Sequence, residues 1–317
     1  MINVNKYNFR FIFTLVIPLL VFTSCEKIIE ANLDDSERRI VVNSIFSADS
    51  ILDVNITKSL HVLDNQDVKY IDDANVDLYE NDEFVGTLEN YQNGNYILND
   101  FYPVVNKTYK LKVLAEGLKS VEAENSVPLK ANIISIDTAT VYSEYNKQVE
   151  CKIQIQDPAG EENFYLLSVY AYGEKWDDYS YEPNYELGPI WFETNDPVVE
   201  EEMDGEGVLF SDILFDGSTY TITINIDYWS IAPYYYDTAM NDTSVAYFYL
   251  NSISKEYYNY AKSFEQYRDA ANDPFAEPVR VYSNITNGLG IFAGYSSKVV
   301  AMSFVGYLDD FGYYEDY

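Results

Sequence analysis

Short runs of alternating apolar and polar residues recur along the first half of the chain and constrain its fold more than any other feature. The clearest runs cover residues 40–45, 52–57, 74–79 and 109–114, and turn-forming residues such as Asn93-Gly94 separate them. Alternation with a period of two is typical of strands that bury one face. The chain is therefore predicted to be mainly β.

The number and spacing of these runs predict the architecture of the first half. Roughly seven short strands within about 100 residues are typical of an immunoglobulin-like sandwich. Residues 39–130 are therefore predicted to form an immunoglobulin/transthyretin-like β-sandwich domain. In the second domain, residues 131–317, further strands are predicted at 149–156, 164–172, 220–226 and 297–304.

One segment of the second domain departs from strict alternation. Between residues 246 and 271 apolar side chains recur every three or four positions, as at Leu250, Ile253 and Tyr257. This period predicts one long amphipathic helix over about 246–271. Asp273-Pro274 would end it, because the residue before a proline disfavours helical geometry.

The first 24 residues have the features of a secretory signal peptide. Lys6 and Arg10 occur without any acid, an apolar run follows at 11–22, and Ser24 precedes Cys25. A charged segment, an apolar segment and small residues in this order are typical of such signals. The apolar run is also shorter than the roughly 20 residues that a spanning helix needs.

A cysteine directly after a small residue resembles a bacterial lipobox. The resemblance implies cleavage before Cys25, lipidation of Cys25 and anchoring to the outer membrane, with residues 25–38 as a tether. Several acyl chains on one cysteine would make a stable anchor. The alternative is an ordinary signal peptide with a coincidental cysteine. Cys151 lies in an alternating segment and is predicted to be a small buried hydrophobe.

Charge and composition exclude several classes of function. The chain has 52 Asp and Glu against 20 Lys and Arg, a net charge of −32, and His61 is the single histidine. Such a negative field repels phosphate, which excludes nucleic acid as a partner. No nucleotide-binding, zinc-protease or serine-hydrolase motif occurs. We therefore predict no catalytic residue, no cofactor and no enzyme activity.

The second domain concentrates both the negative charge and the aromatic residues. Residues 131–317 carry a net charge of −24 and 25 of the 32 Tyr. Tyr and Trp offer rigid contact area with a polar tip, which suits protein interfaces and sugar stacking. Alternatively, Tyr only fills half-buried strand positions. The candidate interaction residues are Trp176, Tyr179, Tyr181, Trp191, Phe192, Tyr228, Trp229, Tyr234, Tyr235 and Tyr236.

An acidic run at residues 200–206 is the one candidate calcium site. Glu202, Asp204 and Glu206 offer carboxylates beside Gly205. The run lacks the ligand register of an EF-hand loop. We therefore predict a solvated acidic loop here and no metal site.

The stretch 273–295, DPFAEPVRVYSNITNGLGIFAGY, carries a family resemblance together with the lipobox, the early Val-Val-Asn strand and Asn93-Gly94-Asn95-Tyr96. It resembles a family of Bacteroidota lipoproteins catalogued as domain-of-unknown-function family 4249. The resemblance implies an outer-membrane lipoprotein encoded beside a TonB-dependent receptor, and it implies no catalytic residues.

The residues of this stretch are of structural rather than catalytic type. Phe275, Ile285 and Phe292 are predicted core anchors, and the glycines fit places where the backbone turns or approaches closely. The structural motif is predicted to comprise Pro274, Phe275, Pro278, Asn284, Gly288, Gly290 and Phe292.

Together these features predict a lipid-anchored binding protein of the outer membrane, accessory to a TonB-dependent transporter in nutrient uptake. The cell-surface face is favoured over the periplasmic face. The alternatives are a structural or adhesive surface lipoprotein without cargo, and a carbohydrate-active hydrolase. The sequence names no cargo.

Overall fold

The computed structural model describes residues 37–61, 67–142, 147–175, 184–205, 207–231, 243–273 and 275–305. Cys25 and the rest of the predicted signal peptide and tether lie outside these ranges, apart from Glu37 and Arg38. Within them the chain is mainly β, as predicted. None of the helices in these ranges is long and apolar enough to cross a membrane.

The described residues form nineteen strands and two helices. The strands are β1 (Ile40–Ser47), β2 (Asp53–Lys58), β3 (Lys69–Tyr70), β4 (Asn75–Glu80), β5 (Glu83–Thr87), β6 (Glu89–Gln92), β7 (Asn95–Ile97), β8 (Thr108–Leu114), β9 (Val121–Ser126), β10 (Asn132–Tyr142), β11 (Lys147–Gln156), β12 (Phe164–Lys175), β13 (Asn184–Pro189), β14 (Phe192–Glu193), β15 (Val199–Met203), β16 (Gly207–Ser211), β17 (Thr219–Asp227), β18 (Thr243–Ile253) and β19 (Leu289–Val305). The helices are α1 (Tyr228–Ile231) and α2 (Lys255–Asn272). Each of the eight segments predicted above as a strand is confirmed as one.

Three sheets organise the described strands. The largest, here called the central sheet, has eleven strands and runs β15-β16-β12-β18-β19-β1-β2-β7-β6, with β13 and β3 paired beside this path. The other two sheets have four strands each, in the orders β10-β11-β17-β14 and β5-β4-β8-β9. The central sheet includes the parallel pair β1 and β19, which joins the beginning of the described chain to its end.

Two large hydrophobic cores fill the spaces between these sheets. One core takes buried residues from β1, β2, β4, β8 and β9, with Phe292 of β19 added. The other lies between the sheet β10-β11-β17-β14 and one face of β12, β18 and β19. Cys151 is fully buried there, as predicted, and burial raises the pKa of its thiol to about 12.

The change from one core to the other falls near residue 130, but the hydrogen bonding of the central sheet continues across both regions. Residues 40–127 supply the first core apart from Ile285 and Phe292, and residues 131–250 supply the buried members of the second. The domain boundary at residue 130 stays a prediction.

The structure corrects the range of the predicted helix. Residues 246–253 belong to strand β18, and helix α2 begins only at Lys255. The segment Ala246-Tyr247-Phe248-Tyr249-Leu250 also alternates, with its even-numbered side chains buried, so both periods fit these residues. Ser254 ends the strand and caps the helix by accepting a hydrogen bond from the Tyr257 backbone N–H at 3.2 Å.

Candidate functional site

A groove of about 780 Å³ lies on the face of the central sheet opposite the second core. Its floor is formed by β1, β12, β18 and β19, and helix α2 and strand β13 supply residues to its sides. This volume is within the range typical of ligand sites, roughly 300–1,000 Å³. The lining residues are Ile45, Ser47, Asp49, Lys130, Leu166, Ser168, Tyr170, Leu187, Tyr249, Asn251, Tyr257, Tyr295, Ser297 and Val299.

The strand register arranges the floor in rows. Leu166 pairs with Asn251, and Asn251 pairs with Ser297, so these three residues lie side by side. The neighbouring row contains Ser168, Tyr249 and Val299. Because side chains on a strand alternate between faces, Leu167 and Leu250, which lie between these positions on β12 and β18, point into the second core. The same strands therefore build both the core and the groove.

Two aromatic pairs flank this polar floor. Tyr170 and Tyr249 pack edge to face with ring centroids 5.2 Å apart, and Tyr257 and Tyr295 do so at 6.3 Å. Tyr249 lies opposite Val299, four residues along β19 from Tyr295. At the usual rise of a strand, the two rows are roughly 13 Å apart. The groove therefore has an aromatic group at each end and a polar middle.

Ser297 gives the floor an unsatisfied polar group. Its hydroxyl oxygen is buried and has no hydrogen-bond partner within the described part of the chain. A buried hydroxyl without a partner costs about 1–3 kcal/mol. A ligand that hydrogen-bonds to Ser297 would recover part of this free energy.

One ion pair stands among the lining residues. Lys130 Nζ lies 3.8 Å from Asp49 Oδ2, with both side chains well exposed to solvent. A pair in this setting contributes little to stability. Its effect on the groove is to pair the one positive and the one negative charge among the described lining residues.

Helix α2 is held beside the groove by Glu200 of β15. The Glu200 carboxylate accepts hydrogen bonds from Ser211 Oγ at 2.6 Å, Tyr258 Oη at 2.5 Å and Lys262 Nζ at 3.3 Å. Partial burial opposes ionisation of Glu200, but these three donors together lower its pKa below the ordinary value. We call these three hydrogen bonds to Glu200 the clamp. The clamp ties helix α2 to β15 and β16, and β12, the neighbour of β16, forms part of the floor.

The four predicted interaction residues that the structure describes, Trp191, Phe192, Tyr228 and Trp229, are not among the lining residues of the groove. Trp191 and Trp229 are 62% and 58% exposed, respectively. Phe192 pairs with Ile226 near the end of β17, and Tyr228 and Trp229 follow that strand directly. Two of the predicted clusters therefore meet at one sheet edge. Trp176, Tyr179, Tyr181, Tyr234, Tyr235 and Tyr236 lie outside the described residues.

Tyr228 has a defined environment at this edge. Its ring meets that of Trp229 edge to face at 5.4 Å, and Lys147 Nζ lies 3.7 Å from the Tyr228 ring centroid. A cation over an aromatic ring is held by the electron-rich face of the ring. We call Trp191, Phe192, Tyr228 and Trp229 the aromatic edge.

The acidic run is not the loop that its composition predicts. Glu202 belongs to strand β15, and Asp204 follows in the turn that leads to β16. Asp204 Oδ2 forms an ion pair with Arg268 Nη2 of helix α2 at 2.9 Å. Glu206 lies outside the described residues. Asp204 therefore has a structural partner in helix α2.

Three other acids could hold a cation. One carboxylate oxygen each from Asp157, Asp212 and Asp216 lies within 4.8 Å of the others. Asp157 accepts a short hydrogen bond from Tyr165 and one from the Gly217 backbone at 2.7 Å. Burial raises the pKa of Asp157, and these two donors only partly offset it. Carboxylate oxygens are ligands that Ca²⁺ prefers, but hydrogen bonds within the chain already engage each carboxylate.

The family motif makes structural contacts. Asn284 donates from its side chain to the Phe292 carbonyl at 2.7 Å and accepts from the Phe292 N–H at 3.0 Å. Phe292 is fully buried, with its ring centroid 4.6 Å from that of Phe46. Gly290 has a φ of +98°, and a β-carbon there would lie 2.0 Å from the Val42 carbonyl oxygen. The motif thus fits β19 closely against β1.

The remaining members of the motif differ from one another in their surroundings. A β-carbon on Gly288 would lie 2.9 Å from the Ile40 carbonyl oxygen, which is again a close approach of two backbones. Phe275, predicted above as a core anchor, is 94% exposed, and this prediction is wrong. It stands in a turn after helix α2, where no sheet or helix covers it. Pro278 is exposed, and Pro274 lies outside the described residues.

Sequence reasoning missed the groove because it depends on the register of distant strands. One signal was present: Tyr170 and Tyr172 in β12, and Tyr247 and Tyr249 in β18, alternate with smaller or more apolar residues. Tyrosine at every second position of a strand that otherwise reads as core indicates a face that stays in contact with water.

Comparison with known proteins gives the family. No curated protein matches the chain. A family model described as Domain of unknown function (DUF4249) matches residues 26–299, which is most of the sequence. This match includes strands β1 to β18, the first part of β19 as far as residue 299, and the motif at 273–295. The chain belongs to the DUF4249 family.

Proposed function

We propose that the protein is a lipid-anchored binding protein of the outer membrane, with the groove on the central sheet as its ligand site. The observation that carries this proposal is the open, tyrosine-lined face described above. An aromatic groove of this volume, with a few polar groups on its floor, has the features of a binding site. The proposed anchor is the lipid on Cys25, supported by the residues that resemble a lipobox.

The proposed partner is a TonB-dependent transporter, to which this protein would deliver its ligand during nutrient uptake. The cell-surface face of the membrane is the proposed location. Resemblance to lipoproteins encoded beside such receptors motivates this choice. The aromatic edge is the proposed contact, because exposed Trp and Tyr are enriched at protein interfaces.

Two finer features of the fold belong to the same proposal. Residues 39–130 would form an immunoglobulin/transthyretin-like sandwich, supported by the core that β1 and β2 share with β4, β8 and β9. Helix α2 would be the amphipathic helix, supported by its buried residues Tyr258, Ala261 and Glu265, which recur at spacings of three and four.

The anchor is tested with Cys25→Ser. Cells that express the natural chain and are fed a radiolabelled or clickable fatty acid should label the protein, and the Cys25→Ser variant should lose the label. Cys151→Ser is the matched control, because Cys151 is buried in β11 and should not affect labelling. Equal labelling of natural chain and Cys25→Ser would contradict the anchor.

The partner is tested by gentle detergent extraction and affinity isolation of the full chain. A TonB-dependent transporter should co-isolate, and the double substitution Trp191→Ala/Trp229→Ala should reduce its yield several-fold. Tyr142→Ala, an exposed aromatic on β10, is the control. Recovery of the protein without a transporter would favour the second candidate, an adhesive surface lipoprotein that uses the exposed Trp191 and Trp229 for assembly.

A further inference from the structure

We infer that the ligand of the groove is a short neutral oligosaccharide. The inference rests on the proposed function, since it names the ligand class of the same groove. Three properties of the groove lead to it: the hydrogen bonding between the strands of its floor, the chemistry of its side chains and its charge.

The middle of the floor, strand β18, has no backbone groups to offer to a peptide strand. Strand β18 is hydrogen-bonded to β12 along 246–253 and to β19 along 243–253. Peptides that bind to sheets usually add to an exposed edge, where main-chain donors and acceptors are free. Across this central strand such groups are used within the sheet. At β18, recognition must therefore come from side chains.

The side chains present hydroxyl and amide groups between aromatic rings. Ser168, Asn251 and Ser297 lie on the floor, and the tyrosine pairs stand on both sides of them. Sugars match this arrangement, because their C–H faces stack on aromatic rings and their hydroxyls both donate and accept hydrogen bonds. The Ser297 hydroxyl is buried as it stands and would gain a partner if its side chain rotates toward a sugar hydroxyl. An apolar ligand would leave it unpartnered.

The spacing of the aromatic pairs indicates more than one sugar ring. The two rows that contain them are separated by roughly 13 Å along the strands. A single ring cannot touch both rows, whereas a short chain of rings can stack at each end and place its hydroxyls on the polar floor. The groove volume of about 780 Å³ accommodates such a chain.

The charges favour a neutral ligand. Asp49 and Lys130 are the charged lining residues, and they pair with each other at 3.8 Å. Among the described lining residues an acidic ligand would meet no unpaired cation, and it would approach a chain of net charge −32. A basic ligand would be attracted by that net charge but would find no unpaired carboxylate among the described lining residues.

The test is titration calorimetry of the full chain in detergent with neutral tetrasaccharides of glucose, mannose, xylose and galactose. The counter-probes are an anionic galacturonate tetrasaccharide, a cationic glucosamine tetrasaccharide and an uncharged Gly-Ser peptide. At least one neutral probe should bind, and all three counter-probes should bind at least tenfold more weakly.

Two variants place the binding in the groove. Tyr249→Ala should weaken binding of the neutral probe about tenfold, because it removes one stacking ring. Ser297→Ala should weaken it several-fold with no loss of thermal stability, because the hydroxyl has no partner to lose within the described part of the chain. Tyr142→Ala, the same substitution on an exposed strand outside the groove, should leave affinity unchanged.

Absence of binding by every neutral probe would overturn the inference, as would an affinity that Tyr249→Ala and Ser297→Ala leave unchanged. Preferential binding of the peptide or of a charged saccharide would also overturn it. Co-isolation of a transporter by a protein that binds no saccharide would refute the ligand class and keep the proposed function. Saccharide binding without co-isolation of a transporter would keep the ligand class and refute the proposed function.

Discussion

The same strands form both faces of the central sheet, but one face is buried in the second core and the other lines the groove. On one face Leu167, Phe248 and Leu250 pack into the second core. On the other face Ser168, Tyr249 and Asn251, which are their direct neighbours in sequence, line an open groove. Of two residues that are adjacent in sequence, one side chain therefore packs in the core and the other is available for binding. The comparison predicts that stability and binding can be changed independently.

The largest expected effect is on the closed face. Phe248→Ala should lower the free energy of unfolding by about 3–5 kcal/mol, because the fully buried ring leaves a cavity. Tyr249→Ala, its neighbour on the open face, should cost only about 1 kcal/mol. Urea denaturation of both variants measures the difference. Equal losses would mean that the groove face is packed as tightly as the core.

A substitution that moves the backbone of β19 should disturb both faces of the central sheet. Gly290→Ala forces a β-carbon to within 2.0 Å of the Val42 carbonyl at a φ of +98°. We expect a loss of about 2–4 kcal/mol from strain and separation of the strands. Gly117→Ala has a positive φ but open space around it, so it should cost only about 1 kcal/mol. Thermal unfolding distinguishes the two, and similar losses would show that β1 and β19 need no close approach.

A smaller effect is expected at the edge of the open face. Glu200→Gln removes the charge of the clamp and should cost about 1 kcal/mol, reduced by solvent screening because a third of the side chain is exposed. The pKa of Glu200 is lowered in the folded protein, so its contribution is present above the ordinary value of 4.5 and is lost as the pH falls through the folded value.

The measurement for this clamp is urea denaturation at a series of pH values. The difference between natural chain and Glu200→Gln should be largest at neutral pH and should shrink under acidic conditions. Glu202→Gln, an exposed acid on the same strand, is the control and should change little. A difference that does not vary with pH would show that hydrogen-bond geometry, and not charge, holds the helix.

The smallest effect concerns Asp157, whose partner Tyr165 lies on the closed face. Its pKa is raised by burial, so the folded protein binds its proton more tightly than the unfolded chain. Stability from this group is therefore present below the ordinary value of 3.8 and is lost as the pH rises through the folded value. Asp157→Asn should make the decline of stability over this window less steep. Exposed Asp137→Asn should not, and equal slopes would contradict the assignment.

Much of the fold is visible in the sequence because it depends on local patterns. Alternation located the strands, and Asn93-Gly94 in the turn before β7 has the positive φ values expected of such a turn. Residues 246–253 were assigned to the wrong element because Leu250 fits both the alternation of 246–250 and the helical spacing of three to Ile253. Pairing with β12 and β19 fixes residues 246–253 as a strand. These contacts are not local, so the sequence of the segment itself does not show them.

Less of the site was predictable. The exposed positions of Trp191 and Trp229 agree with their choice as interaction residues, but their binding role stays a prediction. The groove required knowledge of which strands are neighbours and in which register, as with Asn251 beside Ser297. The acids Asp157 and Asp212 meet for the same reason, since Tyr165 and the turn at Gly217 bring distant segments together.

The parallel pairing of β1 with β19 has a consequence for the order in which the molecule is made. Residues 41–47 can find their partners at 289–295 only after almost the entire described chain has been synthesised. Pairings between such distant segments form slowly because a long loop must close first. The groove, which draws on both strands, is thus completed last, and the proposed ligand could bind only once β19 has paired with β1.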